Sequence, residues 1–437
     1  MKVITRYPPS PTGYFHIGSA RTALFNYLFA ANRGGTMYLR FEDTDKERSK
    51  KEYEDDIIAG LSWLGIPYTM PEVARQSERT HIYQTYVKTL VDKGAAYEAE
   101  AATDDPDKKV VRFKNPNATI TFNDLVRGEV SFNTTDLKDF VIAKSIDEPL
   151  YHLAVVLDDY EMGVTHVIRG EDHISNTPRQ ILILEALGFA RPEYAHIPLI
   201  LAPDRSKLSK RHGAVSVNEY RTQGYLPEAL VNYLALLGWN PGTEKELFTR
   251  DELVKEFRIE QVQKSGAIFD IEKLRWFNHE HMMQLSDEEF FVRLAEFVGT
   301  PIHSSVVPLL KERSRTFKEA ADAISTEEYN FLKDSISYEP HLLLKGAKTD
   351  ADTAIKHLGI ASVMLTGIPA SDFKSEKIRG EVFPYATREG RGAVLWPLRV
   401  ALSGREKSPD PFIIASVIGK DKTLERIQNA VTKLKGL

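Results

Sequence analysis

The sequence predicts an α/β fold in which a doubly wound, Rossmann-type nucleotide-binding domain comes first and an entirely helical region comes last. Three observations predict this fold. A β-branched run leads through a Pro/Gly-rich loop into an amphipathic helix, a second strand-rich half and a basic segment follow far downstream, and no run of short alternating strands occurs after residue 300. The chain has 437 residues, a length for which roughly two to four domains are expected.

The composition is that of a globular protein, with 42% hydrophobic and 27% charged residues. No run reaches the ~18 apolar residues of a membrane span, and the start lacks the apolar core of a signal peptide. The chain has no cysteine, so disulfides and thiolate-bound zinc are excluded, and a cytoplasmic location is expected. A net charge of −5 argues against a protein that coats DNA, although residues 301–437 carry 21 Lys and Arg against 17 Asp and Glu. Neither DNA nor a membrane is expected as a partner.

The first predicted elements form a βαβ unit. Val3–Arg6 is β-branched enough for a strand, the loop Pro9–Ser19 follows, and the next apolar residues recur at helical spacing until Gly34. A loop at a helix N-terminus offers unpaired N–H groups to an anion. His16 adds a donor, and Gly18 lets a nucleotide approach the backbone. The segment therefore predicts a phosphate site, although a connecting loop with one histidine remains open on this evidence alone.

An acidic stretch follows the second predicted strand, Met37–Phe41. Asp45 is predicted to start the next helix, because aspartate is a good N-cap. Glu42 lies at the carboxyl end of a parallel strand, where α/β sheets bind their ligands. We therefore expect Glu42 to point into a ligand crevice.

The next part of the sequence shows a different pattern, before the predicted parallel sheet continues. Val110–Lys114, Ile120–Phe122 and Val130–Phe132 alternate like antiparallel strands, which predicts an α+β insertion. Farther on, the strand Thr165–Arg169 ends in a charged cluster, and Thr177 is predicted to cap a helix that Gly188 ends. A strand that ends in charged residues beside a buried helix is typical of the second half of a doubly wound fold.

The basic segment Lys207-Leu208-Ser209-Lys210-Arg211 follows the strand-like run Ile197–Leu201. Together with Pro9–Ser19, it resembles the KMSKS and HIGH motifs of class I aminoacyl-tRNA synthetases. The surrounding residues resemble the bacterial-type glutamyl-tRNA synthetases through most of residues 1–280. The fourth position of the first motif is Ser19 instead of histidine, which leaves the role of the second histidine empty.

The resemblance implies a reaction and a set of partners. The reaction ligates L-glutamate to the 3' end of tRNA(Glu) through glutamyl-adenylate, with ATP as substrate, Mg2+ bridging its phosphates, and a monomer by analogy. The implied domains are a Rossmann-type catalytic domain in two halves (1–78 and 151–214), an inserted acceptor-binding domain (79–150), a helical stem-contact module (215–300) and an α-helical anticodon-binding domain (301–437). Some relatives bind zinc in the insertion through cysteine, and that role is not carried over here because the chain has no cysteine.

The resemblance also implies roles for individual residues. Catalytic roles fall to His16, Lys207 and Lys210. The implied ATP-binding residues are Pro9, Thr12, His16, Gly18, Ser19, Asp172, His173, Lys207 and Lys210. The implied glutamate-binding residues are Arg6, Ser10, Glu42, Tyr151 and Arg169.

Two other functions compete with this interpretation. A small-molecule nucleotidyltransferase also uses a phosphate loop of the His-x-Gly-His kind, but it does not explain the basic helical C-terminal region. A non-enzymatic RNA-binding relative would have no need of His16, Lys207 and Lys210. Between glutamyl and glutaminyl specificity, Arg169 and the helical C-terminal region favour glutamate, because a guanidinium matches a carboxylate.

Overall fold

The computed structural model describes residues 2–71, 74–101, 109–209, 215–299, 302 and 304–437, apart from the side chains of residues 327 and 328. Lys210 lies outside these ranges. The chain forms two compact units, residues 1–281 and residues 282–437. Within the described ranges, no helix is both long enough and apolar enough to cross a membrane.

The first unit begins with the parallel βαβ arrangement that the sequence predicts. Its elements are strand β1 (Ile4–Tyr7), helix α1 (Ile17–Asn32) and strand β2 (Thr36–Leu39). The two strands pair in parallel, with Arg6 opposite Tyr38. Between α1 and β2 the chain passes close to β1, because a Cβ atom on Gly35 would lie only 2.2 Å from the carbonyl oxygen of Val3. Glycine is therefore required where the chain turns back to form β2.

Helices and strands alternate through the rest of this unit. The helices are α2 (Lys51–Trp63), α3 (Thr80–Asp92), α4 (Tyr151–Glu161), α5 (Thr177–Leu187), α6 (Val217–Thr222), α7 (Pro227–Leu236), α8 (Arg250–Glu256) and α9 (Ile271–Gln284). The strands are β3 (Ala96–Glu100), β4 (Lys109–Phe113), β5 (Thr119–Asp124), β6 (Gly128–Asn133), β7 (Phe140–Ser145), β8 (Glu148–Pro149), β9 (His166–Gly170), β10 (Glu193–Ile197), β11 (Ile200–Leu201) and β12 (Ala267–Ile268).

Two four-stranded sheets are formed between residues 96 and 197. The first has the order β3-β4-β7-β8 and is antiparallel throughout. The second has the order β6-β5-β10-β9, in which the hairpin β5–β6 joins the parallel pair β9–β10. The junction pairs Tyr194 with Asp124 in parallel. Part of the segment predicted as the insertion therefore extends the sheet of the second half, while the predicted domain limits stay a prediction.

The sheet carries helices on both of its faces. On β9, Ile168 belongs to the hydrophobic cluster that contains residues of α1 and α7, such as Leu28 and Leu230. Its neighbour Val167 belongs to the cluster built around α4 and α5. Because successive residues of a strand point to opposite faces, the two clusters lie on opposite sides of the sheet. This confirms the predicted doubly wound fold.

Two local predictions were wrong. Helix α2 starts at Lys51, not near Asp45. The Asp45 carboxylate instead accepts the N–H of Arg48 at 3.2 Å and pairs with its guanidinium at 2.6 Å, so it closes a separate turn. Thr177 is the first residue of α5 rather than its cap, and its hydroxyl contacts Arg169 and other residues of the sheet face. The predicted stop is confirmed, since Gly188 ends α5 with a φ of +80°.

The second unit is helical, and its described residues contain no strand. Its helices are α10 (Asp287–Val298), α11 (Val307–Arg313), α12 (Phe317–Ser325), α13 (Leu342–Lys345), α14 (Ala351–Thr366), α15 (Ser375–Glu389), α16 (Arg391–Ser403), α17 (Pro411–Ile418) and α18 (Lys420–Lys435). Helix α14 packs against both α16 and α18. The prediction of an all-α C-terminal region is therefore confirmed.

Candidate active site

The loop between β1 and α1 ends at His16, which is the N-cap residue of α1. Its Nδ1 accepts a hydrogen bond from the backbone N–H of Ser19 at 3.2 Å, so a neutral ring carries its proton on Nε2, 3.1 Å from Oγ of Ser19. Desolvation and then the positive charge of Lys207 hold the pKa of His16 below its ordinary value. A Cβ atom on Gly18 would lie 3.0 Å from two atoms of the His16 ring, so Gly18 makes room for this ring.

Residues on either side of positions 210–214 lie beside the same loop. Lys207 is close enough to His16 to act on its pKa, and its ammonium lies 3.4 Å from the Asp172 carboxylate. On the far side of residues 210–214, Ser216 pairs with His16 in an isolated antiparallel bridge. Two backbone hydrogen bonds of 2.9 Å and 2.8 Å, from Ile17 N–H to Val215 and from Val217 N–H to Phe15, flank this pair. The chain therefore leaves the His16 region at Lys207 and returns to it at Ser216.

The charged cluster after β9 is held by short-range contacts. The imidazole Nδ1 of His173 lies 3.0 Å from the Tyr151 hydroxyl. Burial, followed by the charge of Arg169, lowers the pKa of His173 to about 4, so the ring is neutral at pH 7. A Cβ atom on Gly170 would lie 2.5 Å from Oδ1 of Asp172. The strand end is therefore fixed sterically as well as by hydrogen bonds, a use of Gly170 that the sequence analysis missed.

Arg6 and Arg169 both lie buried on the sheet face covered by α4 and α5. Nε of Arg6 donates to the Asp159 carboxylate at 3.1 Å, whereas its buried Nη1 has no hydrogen-bond partner among the described residues. Arg169 donates from Nε to His196 at 3.1 Å and from Nη2 to Thr177 at 2.7 Å. Desolvation lowers the pKa of Arg169. Both guanidinium groups are thus anchored on one side only, and each keeps N–H groups for an anion.

Tyr151 and Glu42 complete this pocket. Burial raises the pKa of Tyr151 against the opposing charge of Arg169, and Glu42 and Arg6 also act on it electrostatically, so these predicted residues lie together. Oε1 of Glu42 accepts from Nη2 of Arg40 at 3.1 Å. Burial raises the pKa of Glu42 although the neighbouring Arg40 opposes this. Glu42 is therefore partly engaged by protein, and Oε2 accepts no hydrogen bond within the described part of the chain.

The remaining predicted residues lie on the loop before His16. The carbonyl oxygen of Pro9 accepts the N–H of Glu42 at 2.9 Å, which ties the loop to the end of β2. Ser10 and Thr12 are exposed, and the backbone N–H of Thr12 donates to the Ser10 carbonyl at 2.9 Å. No side-chain hydrogen bond joins either one to another predicted site residue in the described ranges. Lys210 lies outside those ranges, so its position is not described.

The sequence analysis did not identify the buried residues that hold the arginines of this pocket in place. Asp159 of α4 binds both Arg6 and Arg40, the latter at 2.8 Å. His196 of β10 lies between Arg169 and Asp124. The available signal was the presence of ionisable residues within the apolar helix α4 and the apolar strand β10, because fully buried charges are rare unless they are paired.

A helix that follows a Pro/Gly-rich loop on a parallel sheet, with Lys207 of the second half near its N-cap His16, is typical of the catalytic unit of a class I aminoacyl-tRNA synthetase. Comparison with known families agrees. The family model described as the catalytic domain of class I tRNA synthetases (E and Q) matches residues 2–105 and 98–276, and the anticodon binding domain model matches residues 271–431. The chain belongs to the class I tRNA synthetase family that serves glutamate and glutamine.

Similar proteins are curated as glutamate–tRNA ligases. The protein from Carboxydothermus hydrogenoformans is 40% identical over 98% of this chain and 99% of its own length. The protein from Aquifex aeolicus is 40% identical over 99% of both chains. The crystal structure of a glutamate tRNA ligase from Elizabethkingia meningosepticum in complex with its amino acid has a TM-score of 0.85 at 32% identity, covering 99% of this chain and 100% of that one.

Proposed function

We propose that this protein ligates L-glutamate to the 3' end of tRNA(Glu) in two steps. In the first step, the α-carboxylate of glutamate attacks the α-phosphorus of ATP, the bond to the β-phosphate oxygen breaks, and pyrophosphate leaves. In the second step, a hydroxyl of the terminal ribose of tRNA attacks the carbonyl carbon of glutamyl-adenylate. AMP leaves with the electron pair, the hydroxyl loses its proton, and glutamyl-tRNA is formed for protein synthesis.

One observation carries this proposal. Ser216 pairs with His16, and Lys207 lies close enough to shift the His16 pKa, so the segment between Lys207 and Ser216 starts and ends beside the first-helix loop. Two groups that are to bind one triphosphate must meet in this way. The arrangement supports a site in which one loop binds the phosphates and a basic segment neutralises the departing pyrophosphate.

The proposed ATP site is formed by groups that position and neutralise charge. The N–H groups at the start of α1 and the Nε2–H of His16 would bind phosphate oxygens, with Pro9 and Thr12 on the loop before the helix and Gly18 and Ser19 in its first turn. Lys207 and Lys210 would stabilise the charge that accumulates as the α-phosphorus becomes five-coordinate. Asp172 and His173 would lie near the adenosine. Phosphoryl transfer needs positioning and electrostatic stabilisation rather than a covalent partner from the protein.

Glutamate is selected over glutamine by charge. The free N–H groups of Arg6 and Arg169 support binding of the side-chain carboxylate, with charge-assisted hydrogen bonds worth roughly 1.5–3 kcal/mol each. Glutamine would present N–H donors to groups that only donate, so the pocket should reject it strongly. Glu42 would accept the α-ammonium, and Tyr151 and Ser10 would line the remaining wall.

Mg2+ is proposed to enter with ATP. The Lys207 ammonium pairs with the Asp172 carboxylate at 3.4 Å, and no group of three or more His, Asp or Glu side chains in the described residues could hold a metal ion. This donor set fits an ion held mainly by phosphate oxygens, with few ligands from the protein. When bound, Mg2+ would neutralise part of the phosphate charge. The residues of this chain would still position ATP and glutamate for the reaction.

Recognition of tRNA is proposed to use three regions beyond the catalytic halves 1–78 and 151–214. The insertion 79–150 would meet the acceptor end, the module 215–300 the inner side of the tRNA, and the helical region 301–437 the anticodon. We further propose a cytoplasmic monomer.

Aminoacylation of purified tRNA(Glu) and tRNA(Gln) with labelled glutamate and ATP tests the proposal. Glutamyl-tRNA should form with tRNA(Glu), and Lys210→Ala should slow its formation. Transfer of AMP to a small molecule, with no charging of either tRNA, would contradict the proposal and favour a nucleotidyltransferase.

A further inference from the structure

Asp124, His196 and Arg169 form a row across three neighbouring strands. The strands β5, β10 and β9 are adjacent in this order, and His196 lies directly opposite Arg169 in the parallel pair β9–β10. Nδ1 of His196 lies 2.6 Å from Oδ2 of Asp124, and Nε of Arg169 lies 3.1 Å from Nε2 of His196. All three residues are buried. The row therefore ends at a guanidinium that the proposed function places against the glutamate side chain.

The donors and acceptors in this row fix the position of one proton. The Asp124 carboxylate only accepts, so Nδ1 of His196 must carry a proton. Burial keeps the pKa of His196 below its ordinary value although the hydrogen bond to Asp124 opposes this, so the ring is neutral and has one proton. Nε2 is then a bare acceptor, as the Nε–H of Arg169 requires. The other tautomer would set two N–H groups against each other.

The same contacts determine which N–H groups of the Arg169 guanidinium can face a substrate. Arg169 is anchored through Nε by His196 and through Nη2 by Thr177. Within the described ranges, no acceptor takes a hydrogen bond from Nη1. A guanidinium is planar and rigid, so fixing two of its nitrogens fixes the direction of the third.

We propose that Asp124 and His196 are positioning residues that set the tautomer of the imidazole and, through it, the orientation in which Arg169 meets the carboxylate of the substrate. This inference deepens the proposed function and rests on it. If the cluster served only the stability of the fold, glutamate binding would not depend on which imidazole nitrogen of His196 carries the proton. If the cluster orients Arg169, glutamate binding does depend on it.

Asp124→Asn tests the tautomer directly. Oδ1 of Asp124 accepts the backbone N–H groups of Val126 and Arg127 at 3.0 Å and 2.9 Å, so the amide oxygen must occupy that position. The amide NH2 then faces Nδ1 of His196 and pushes the imidazole proton to Nε2, against Arg169. We expect the KM for glutamate to rise about ten- to a hundredfold, as for a lost charge-assisted hydrogen bond. The preference over glutamine should narrow, with kcat and the KM for ATP within about twofold of wild type.

Nε2 of His196 also lies 3.1 Å from the Thr177 hydroxyl, which can donate to it. Two substitutions at His196 separate its contact with Asp124 from its contact with Arg169. In His196→Gln the amide oxygen can take the position of Nε2 and still accept from Arg169. In His196→Asn the shorter side chain can reach Asp124 but not Arg169. The KM for glutamate should therefore rise more in the asparagine variant than in the glutamine variant. This pair also keeps the proposal testable if Asp124→Asn fails to fold.

Asp139→Asn is the matched control. The Asp139 carboxylate is less buried than that of Asp124, and it accepts one backbone N–H, from Asn115 at 2.9 Å, and one side-chain proton, from Tyr97 at 2.8 Å. Neither contact involves Arg169. Its KM for glutamate and its preference over glutamine should equal those of wild type.

Nitrogen-15 NMR of histidine-labelled full-length protein gives a readout that does not depend on activity. The His196 signal, identified by its loss in His196→Asn, should report a protonated Nδ1 and a bare Nε2 in wild type and the reverse in Asp124→Asn. A wild-type ring protonated on Nε2 overturns the proposal, as does an unchanged glutamate KM in Asp124→Asn or an equal rise in every kinetic constant. Failure of wild type to charge tRNA with glutamate would refute the proposed function instead, and the NMR result would still decide the tautomer.

Discussion

Arg6 donates its Nε–H to the carboxylate of Asp159 at 3.1 Å, and this contact leaves Nη1 of Arg6 buried without a hydrogen-bond partner among the described residues. The same carboxylate accepts Nη1–H of Arg40 at 2.8 Å. One buried anion therefore holds two guanidinium groups in place. An unpaired buried N–H is costly, and a bound carboxylate is the group that would satisfy it.

Replacement of Asp159 by asparagine should lower the stability of the protein substantially. Burial opposes the charge of Asp159, yet Arg6 and Arg40 hold its pKa below the ordinary value. Loss of the negative charge takes from the buried Arg6 its paired carboxylate, whereas Arg40 keeps Glu42 and Asp158. The free energy of unfolding should therefore fall by about 3 kcal/mol or more. Urea denaturation measures this. Asp55→Asn, which breaks an exposed pair with Lys51, is the control and should change stability far less.

Replacement of Arg169 by alanine should raise the KM for glutamate and narrow the preference over glutamine. The variant removes one of the two arginines that we propose to bind the substrate carboxylate, so a loss of about tenfold or more in kcat/KM for glutamate is expected. Aminoacylation kinetics with both amino acids measure it. Arg191→Ala removes another arginine of the same unit, one that donates to the Thr121 carbonyl, and should leave both constants unchanged. Unchanged selectivity in Arg169→Ala would mean that the carboxylate binds elsewhere.

Loss of either lysine of the basic segment should slow amino-acid activation. Lys207→Ala and Lys210→Ala each remove a charge that we propose to stabilise the departing pyrophosphate, so the rate should fall by about 10²-fold. Pyrophosphate exchange in the presence of tRNA(Glu) provides the measurement. Lys255→Ala, at an exposed position of α8, should behave as wild type. Exchange at the wild-type rate by Lys210→Ala would remove that residue from the proposed machinery.

The stability of the protein should decrease as the pH falls from about 6.5 to 4, in part because of His152. Burial, followed by the charge of Arg179, lowers the pKa of His152 in the folded protein to about 4. Between these pH values the unfolded chain binds a proton that the folded protein excludes, which costs at most about 3 kcal/mol. The free energy of unfolding, measured by urea denaturation at pH 7 and at pH 5, should therefore decrease less between these two pH values in His152→Gln than in wild type. The same pH dependence in both proteins would contradict this.

Structural features that depend on local sequence patterns could be predicted from the sequence. The loop before the first helix, the helix itself and the stop at Gly188 follow from spacing and from residue types with strong conformational preferences. Asp45 was misassigned because a good capping residue can also close a turn, and its pairing with Arg48 is as local as a cap would be. Thr177 was misassigned because its hydroxyl bonds to Arg169 from the neighbouring strand, which no local preference reveals.

The supporting residues of the site could not have been assigned from spacing. Asp159 and Arg6 are separated by 153 residues along the chain, and His196 and Asp124 by 72. Each pairing depends on the order of strands in the sheet, which periodicity does not determine. A buried charged residue in an apolar helix indicates that a partner exists without indicating which residue it is.

The hairpin β5–β6 joins the sheet through its pairing with β10, and this has a kinetic consequence. Asp124 comes from the middle of the chain, Arg169 from the strand two places away in the sheet, and Arg6 from the first strand. Contacts between such distant segments form late because each requires a long loop to close. During refolding, affinity for glutamate should therefore return only when all of residues 1–281 have assembled, well after the local helices have formed.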